Sequence, residues 1–140
     1  MDVIKKDGDT YVFDVVRKTY VSLTKEELVR QKFIDYLISD LGYPTSVIAV
    51  ERSLYYAKNK RKRFDLVVFK SGDPFILVEF KAFDIKLTVE SFQQLATYNR
   101  VLNAEYLVLF NGGQLRSYKL DIDKQELNLI EDLPSYSTLG

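Results

Sequence analysis

Asp65, Glu79 and Lys81 are the side chains whose types and spacing could do chemistry. Asp65 lies in the run Arg63-Phe64-Asp65-Leu66-Val67-Val68-Phe69, and Glu79 and Lys81 close the run Phe75-Ile76-Leu77-Val78-Glu79-Phe80-Lys81. Both runs read as strands rich in β-branched and aromatic residues. Side chains two apart on a strand share a face, so Glu79 and Lys81 stand side by side on an otherwise apolar segment. Charges taken out of water are costly unless they are paired or bind metal. Two carboxylates and a lysine suit the holding of a Mg²⁺ ion and the activation of a water. The competing reading is a salt-bridged Glu79–Lys81 pair on a solvent-facing antiparallel strand.

Composition narrows the chemistry to these groups. The chain has neither cysteine nor histidine. Disulfides, thiolate nucleophiles, histidine bases and histidine- or cysteine-ligated metals are therefore excluded. The net charge is zero, so any grip on a polyanion must be local. Lys58, Lys60, Arg61, Lys62 and Arg63 form such a local cluster just before Asp65. At 140 residues and 46% hydrophobic content, the chain suits one domain over 1–140, with 1–10 and 134–140 peripheral. No apolar run approaches the roughly 20 residues needed to span a bilayer. The segment Met1 to Asp7 lacks a signal-peptide apolar region, so a cytoplasmic protein with no membrane partner is expected.

The elements that must position these residues follow from periodicity. Tyr11–Val16 and Thr19–Leu23 are strand-like, either a hairpin or one bent strand. Thr24–Leu41 reads as a helix, with Thr24 and Glu27 in capping-box spacing, an apolar stripe at Val29, Phe33, Ile34, Leu37 and Leu41, and Gly42 as its stop. Val47–Tyr56 reads as a strand, Ala57–Arg63 as a basic loop, and Phe64–Phe69 with Phe75–Phe80 as a hairpin. A second helix is expected over Thr88–Leu102, with Val89, Phe92, Ala96, Asn99 and Leu102 near one face. Strands at Glu105–Phe110, Gln114–Leu120 and Gln125–Leu133 follow, then a tail from Pro134. The fold class is α/β, a mixed central sheet flanked by helices in two or three layers.

This order of elements, with Asp on one strand and Glu-x-Lys on the next, resembles the PD-(D/E)xK nuclease superfamily and its restriction-endonuclease-like core. More narrowly, it resembles the N-terminal nuclease domain family of type I restriction enzyme R subunits. The matching words are Phe13 to Lys18, Leu23 to Gln31, Gly42-Tyr43-Pro44, Lys62-Arg63-Phe64-Asp65, Val78 to Ala82, Gln94 to Asn99 and Asn111-Gly112. Two departures occur: Lys25 stands where the family often has proline, and Phe64-Asp65 replaces Pro-Asp.

The resemblance implies roles for individual residues. Asp65 and Glu79 would be Mg²⁺ ligands (Mn²⁺ could substitute), joined by the backbone carbonyl of Phe80. Lys81 would orient the attacking water or stabilise charge on the phosphate. A glutamate of the first helix, Glu27 or its neighbour Glu26, would complete the acidic cluster, and Glu27 is preferred for sharing a face with Arg30, Gln31 and Ile34. Glu27 could equally be a capping residue. Gln94 would support the site and Tyr98 would contact nucleic acid. Independently of the resemblance, Lys58, Lys60, Arg61, Lys62 and Arg63 lead directly into the Asp65 strand and are placed to grip phosphates of nucleic acid.

The expected function is a Mg²⁺-dependent DNA endonuclease linked to restriction–modification, a phosphodiester hydrolase. The rival is a non-catalytic nucleic-acid-binding or protein-interaction module on the same fold. No Gly-rich loop ending in Gly-Lys-Ser/Thr occurs, so a motor activity is not expected in this chain. Expected partners are DNA and either a second copy of the chain or a targeting protein.

Overall fold

The computed structural model describes residues 1–139. In chain order these form β1 (Val3–Lys6), β2 (Asp9–Asp14), β3 (Thr19–Ser22), α1 (Lys25–Asp35), β4 (Ile48–Ala57), β5 (Lys60–Lys70), β6 (Asp73–Phe80), α2 (Val89–Leu102), β7 (Tyr106–Phe110), β8 (Leu115–Asp121) and β9 (Glu126–Ile130). The first three strands make a small antiparallel sheet. The other six make a mixed sheet in the order β4-β5-β6-β7-β8-β9, with β6 and β7 parallel and every other pair antiparallel. This is the mixed α/β arrangement of a restriction-endonuclease-like core. No helix among the described residues is long and apolar enough to cross a membrane.

Alternation along the central strands sorts their side chains between two cores. Ile76, Val78 and Phe80 of β6 join Leu66, Val68 and Val108 against Val29, Phe33, Ile34 and Leu37 of the first helical segment. Leu77, between them, joins Phe64, Val67, Leu107 and Leu109 against Leu95 of α2. The sheet is thus covered on both faces, which is why β6 and β7 read as nearly continuous apolar runs.

The first helix starts where the capping signal places it: Thr24 Oγ1 accepts from Glu27 N at 3.0 Å. The reciprocal half of the box does not form, because Thr24 N donates to Ser22 O at 3.0 Å and the Glu27 carboxylate is engaged elsewhere. The expected single helix to Leu41 is α-helical only to Asp35, and Tyr36–Asp40 is a wider π-helical turn. It ends at Gly42, whose φ of +76° is the left-handed conformation that glycine adopts freely, and Tyr43 N donates back to Leu37 O at 2.9 Å.

Other boundaries differ for identifiable reasons. The strand β1 was not read from the sequence; all four of its residues are exposed, so no apolar alternation announces it. The expected tail packs back: Tyr136 N donates to Leu41 O at 2.8 Å, Tyr43 Oη donates to Pro134 O at 2.9 Å, and the two tyrosine rings meet edge-on. In α2, Val89 is exposed rather than inward, and the buried positions are Leu95 and Asn99.

Asn99 is a polar residue at a core position with a defined task. Its Oδ1 accepts from Ala104 N at 2.8 Å and its Nδ2 donates to Ala104 O at 3.0 Å, closing the turn that leads into β7. Asn99→Ala leaves a buried N–H and C=O without partners. A loss of roughly 2–3 kcal/mol is expected, measured by urea denaturation with the m-value unchanged. A loss below about 0.5 kcal/mol would mean that water replaces the amide.

The basic run is not a loop. Lys60 to Arg63 open β5 and pair with Ser53 to Ala57 of β4, around a turn whose Asn59 has φ +59°. Lysine and arginine have weak strand preference, but backbone pairing with β4 overrides it. Before Leu66, β5 has no ladder with β6, so Arg52 to Phe64 form a two-stranded ribbon. The ribbon exchanges faces where it leaves the sheet. Val50 and Leu66 join the α1 core, whereas Leu54 and Phe64 join the α2 core. Strict alternation would keep each pair on one face, so each strand changes phase in between, at Glu51 (φ +52°) and around Asp65.

Candidate active site

The change of phase sets the position of Asp65. Val50 pairs with Leu66 and Leu66 with Val78, so Asp65 lies next to Glu79 across the β5–β6 pair. Asp65 Oδ2 accepts from Phe80 N at 2.7 Å, which fixes one carboxylate oxygen on the neighbouring backbone. Glu79 and the following residues sit at the carboxyl ends of the parallel strands β6 and β7, where open α/β sheets place their sites. Lys81 lies just past β6, and its backbone N donates to Phe110 O at 3.0 Å, so the end of the strand holds it.

A cleft between this strand end and α2 collects the remaining groups. It is lined by Glu79, Lys81, Lys62, Gln94, Tyr98 and Ser91, with Leu95 and Leu109 at its apolar base. Gln94 and Tyr98 are one helical turn apart and face it together. The Tyr98 ring is braced edge-on against Tyr56 and Phe64, at centroid distances of 4.9 and 6.0 Å. Lys62 reaches in from the ribbon, its Nζ 3.4 Å from Glu79 Oε1 and 5.9 Å from the Tyr98 ring centre. The sequence marked Lys62 only as part of a basic run. Its phase on β5, two residues before Phe64, could have placed it on the α2 side.

Glu79 has an unusual proton affinity. Burial and the adjacent Asp65 carboxylate push its pKa up to about 7, and Lys62 offsets part of this. Two carboxylates this close resist ionising together. The folded-state pKa lies above the unfolded value of about 4.5, so the folded chain holds the extra proton between pH 4.5 and 7. Stability is therefore full below this window and is lost as pH rises through it, by on the order of 3 kcal/mol at most. Glu79→Gln should flatten the decline and raise the melting temperature at pH 8 in the absence of divalent ions. Thermal melts of both proteins from pH 4.5 to 8 check this, and parallel curves would show that Glu79 titrates normally.

The other residues marked by the sequence are not at this cleft. Both oxygens of the buried Glu27 carboxylate are occupied: Oε1 accepts from Arg17 Nη2 at 2.6 Å and Arg30 Nη1 at 2.9 Å, and Oε2 accepts from Gln31 Nε2 at 3.2 Å. Glu26 is exposed and pairs with Arg30 at 3.0 Å. Lys58, Lys60, Arg61 and Arg63 are exposed on the ribbon and do not line the cleft. Asn111, marked in the sequence only by the word Asn111-Gly112, does more. Its Nδ2 donates to Ile85 O at 2.8 Å and its Oδ1 accepts from Gly113 N and Gln114 N, tying the loop after Lys81 to the β7–β8 turn.

Among the described residues, no group of three acidic side chains is arranged to hold an ion. The donors on offer are Asp65, Glu79 and the backbone carbonyl of Phe80, which follows Glu79 in the chain. That set fits Mg²⁺, which keeps several waters and takes one or two carboxylates alongside substrate phosphates. A positive charge placed there would relieve the mutual repulsion of Asp65 and Glu79.

A search of curated proteins finds no match. A family model described as the type I restriction enzyme R protein N terminus matches residues 25–134, which span the first helix, the whole mixed sheet and Asp65, Glu79 and Lys81. By this match across most of its length, the chain belongs to the type I restriction enzyme R protein N-terminal family.

Proposed function

We propose that the chain is a metal-dependent nuclease domain that hydrolyses phosphodiester bonds in DNA. The observation that carries this reading is Asp65 of β5 beside Glu79 at the carboxyl end of β6, with Glu79 sharing a cleft with Lys81 and Lys62. Membership of a restriction-enzyme family supports it. Asp65, Glu79 and the Phe80 carbonyl would hold Mg²⁺ or Mn²⁺. When bound, the ion supplies a more acidic water and charge neutralisation at the phosphate.

The chain's own groups do the rest. Phe80 N–H holds Asp65 Oδ2, which fixes the carboxylate beside Glu79. Lys81 and Lys62 place two fixed positive charges where a phosphate gathers negative charge, in a cleft whose apolar base strengthens their effect. Gln94 offers an amide donor to a phosphate oxygen or a water. Tyr98, braced by its aromatic neighbours, forms a rigid wall for the nucleic acid. Lys58, Lys60, Arg61 and Arg63 add backbone grip that carries no sequence information. A targeting protein or a second copy of the chain would supply specificity.

Calorimetric titration with Mn²⁺ tests the site, followed by a cleavage assay on linear, nicked, branched and single-stranded DNA. Metal binding together with metal-dependent cutting is the expected result. The absence of metal binding, with DNA present, would overturn the nuclease reading. The alternative is a DNA-binding or protein-interaction module without catalysis. It is favoured by one observation: Glu27, the third acid that the superfamily pattern implies, is already neutralised by two arginines.

A further inference from the structure

The zero net charge of the chain conceals a strong separation. The segment Arg52–Phe64 carries six basic residues (Arg52, Lys58, Lys60, Arg61, Lys62 and Arg63) and no acidic one. The rest of the chain therefore holds six more acidic than basic side chains. Of the six cations only Lys62 forms an ion pair, with Glu79. The other five have no acidic partner among the described residues.

The ribbon built from this segment has two unlike faces. Leu54, Tyr56, Lys62 and Phe64 turn toward α2 and the cleft. Ser53, Tyr55, Arg61 and Arg63 occupy the alternate positions and are all exposed, with Tyr55 directly opposite Arg61 and Ser53 opposite Arg63. Tyr55 exposes 65% of its surface, one of the largest values for an apolar side chain in the molecule. A two-stranded ribbon is among the few elements that fit a DNA major groove, about 12 Å wide. Residues two apart on a strand are about 6.7 Å apart, so Arg61 and Arg63 can engage separate phosphates.

We infer that this outer ribbon face is a second DNA-contact surface, distinct from the cleft, that seats duplex DNA flanking the scissile bond. Arg61 and Arg63 contact phosphates and Tyr55 packs on the groove edge between them. Lys62, on the opposite face, reaches the cleft instead. The substrate of the proposed nuclease site is accordingly double-stranded next to the point of cleavage. This substrate assignment rests on the nuclease reading, whereas binding by the ribbon does not.

The test is fluorescence anisotropy with a labelled 20-base-pair duplex and a single strand of the same length. It is run in EDTA, so that binding is read without cleavage. Wild type is compared with Arg61→Gln/Arg63→Gln, Tyr55→Ala, and a control, Lys5→Gln/Lys6→Gln, that removes the same charge from β1. Duplex affinity should fall about tenfold or more in the arginine variant, and its log–log salt slope should shrink by about two. Tyr55→Ala should weaken duplex binding by severalfold. The control should match wild type. Equal losses in control and ribbon variants, an unchanged salt slope, or preferential binding of the single strand would each overturn the inference. Asp65→Asn keeps the ribbon and removes a carboxylate that repels phosphate without metal, so it should bind the duplex at least as tightly as wild type does. Binding without metal-dependent cutting by the wild type would sink the nuclease reading alone, and cutting without ribbon-dependent binding would sink this one alone.

Discussion

Asp65→Asn is expected to lower metal-dependent DNA cleavage by about a thousandfold or more, equivalent to about 4 kcal/mol of transition-state stabilisation. The substitution is nearly isosteric and its amide oxygen can still accept from Phe80 N, so the bond that holds the residue is kept. What is lost is one negative charge beside Glu79, and with it the pull on a divalent cation. Glu79 should then titrate closer to an ordinary carboxylate, because Asp65 is one of the causes of its raised pKa. Single-turnover cleavage, Mn²⁺ calorimetry and a thermal melt together check this. A folded Asp65→Asn protein that still cuts at more than a tenth of the wild-type rate would remove Asp65 from the chemistry.

The largest effect on stability is expected at Glu27. Arg30 is 3% exposed and is held by Glu27 at 2.9 Å, Glu26 at 3.0 Å and Glu51 at 3.5 Å, while its Nε has no partner among the described residues. Arg17 bridges Glu27 and the fully buried Asp14, joining the small sheet to the helix. Glu27→Ala strips two arginines of a shared anion, one of them buried. Breaking one partner of a buried ion pair costs about 3–5 kcal/mol, and the lower end applies here because Glu26 and Glu51 remain. The melting temperature should drop by about 10 °C. Glu27→Gln should fall between the two, since it retains an acceptor. If Glu27 were instead a metal ligand, both variants would lose metal binding in proportion to Asp65→Asn. Normal melting with lost metal binding would reassign it from brace to ligand.

The sequence made the site's two carboxylates legible because a charge in an apolar strand run is rare. Asp65 and Glu79 stand out against Val, Leu, Ile and Phe neighbours, and a hairpin register then sets them side by side. The two helices were legible from a cap and apolar stripes, and the β5–β6 and β7–β8 hairpins from their turn residues. Three things were not. The fate of the Glu27 carboxylate depends on Arg17, ten residues away on the turn before β3, and no local spacing encodes that contact. The strand character of Lys60 to Arg63 depends on pairing with β4, which propensity opposes. The role of Lys62 depends on the change of phase around Asp65, since alternation sets which face each residue takes but cannot show where it resets.

That reset has a mechanical consequence. The core half of β4 and β5 is locked by two apolar layers, while the ribbon half is joined to it through an irregular step on each strand. Such a step behaves like a swivel joint in the chain's blueprint. Without that step, strict alternation at the present residue count would turn the ribbon over, so that arginines would face α2 and Leu54 and Phe64 would turn away from it. The core would hardly register the change. The tip of the ribbon, by contrast, can lengthen, shorten or change composition without disturbing either layer. The molecule thus separates a part that must be inherited intact from a part that descendants can remodel to suit different nucleic acids.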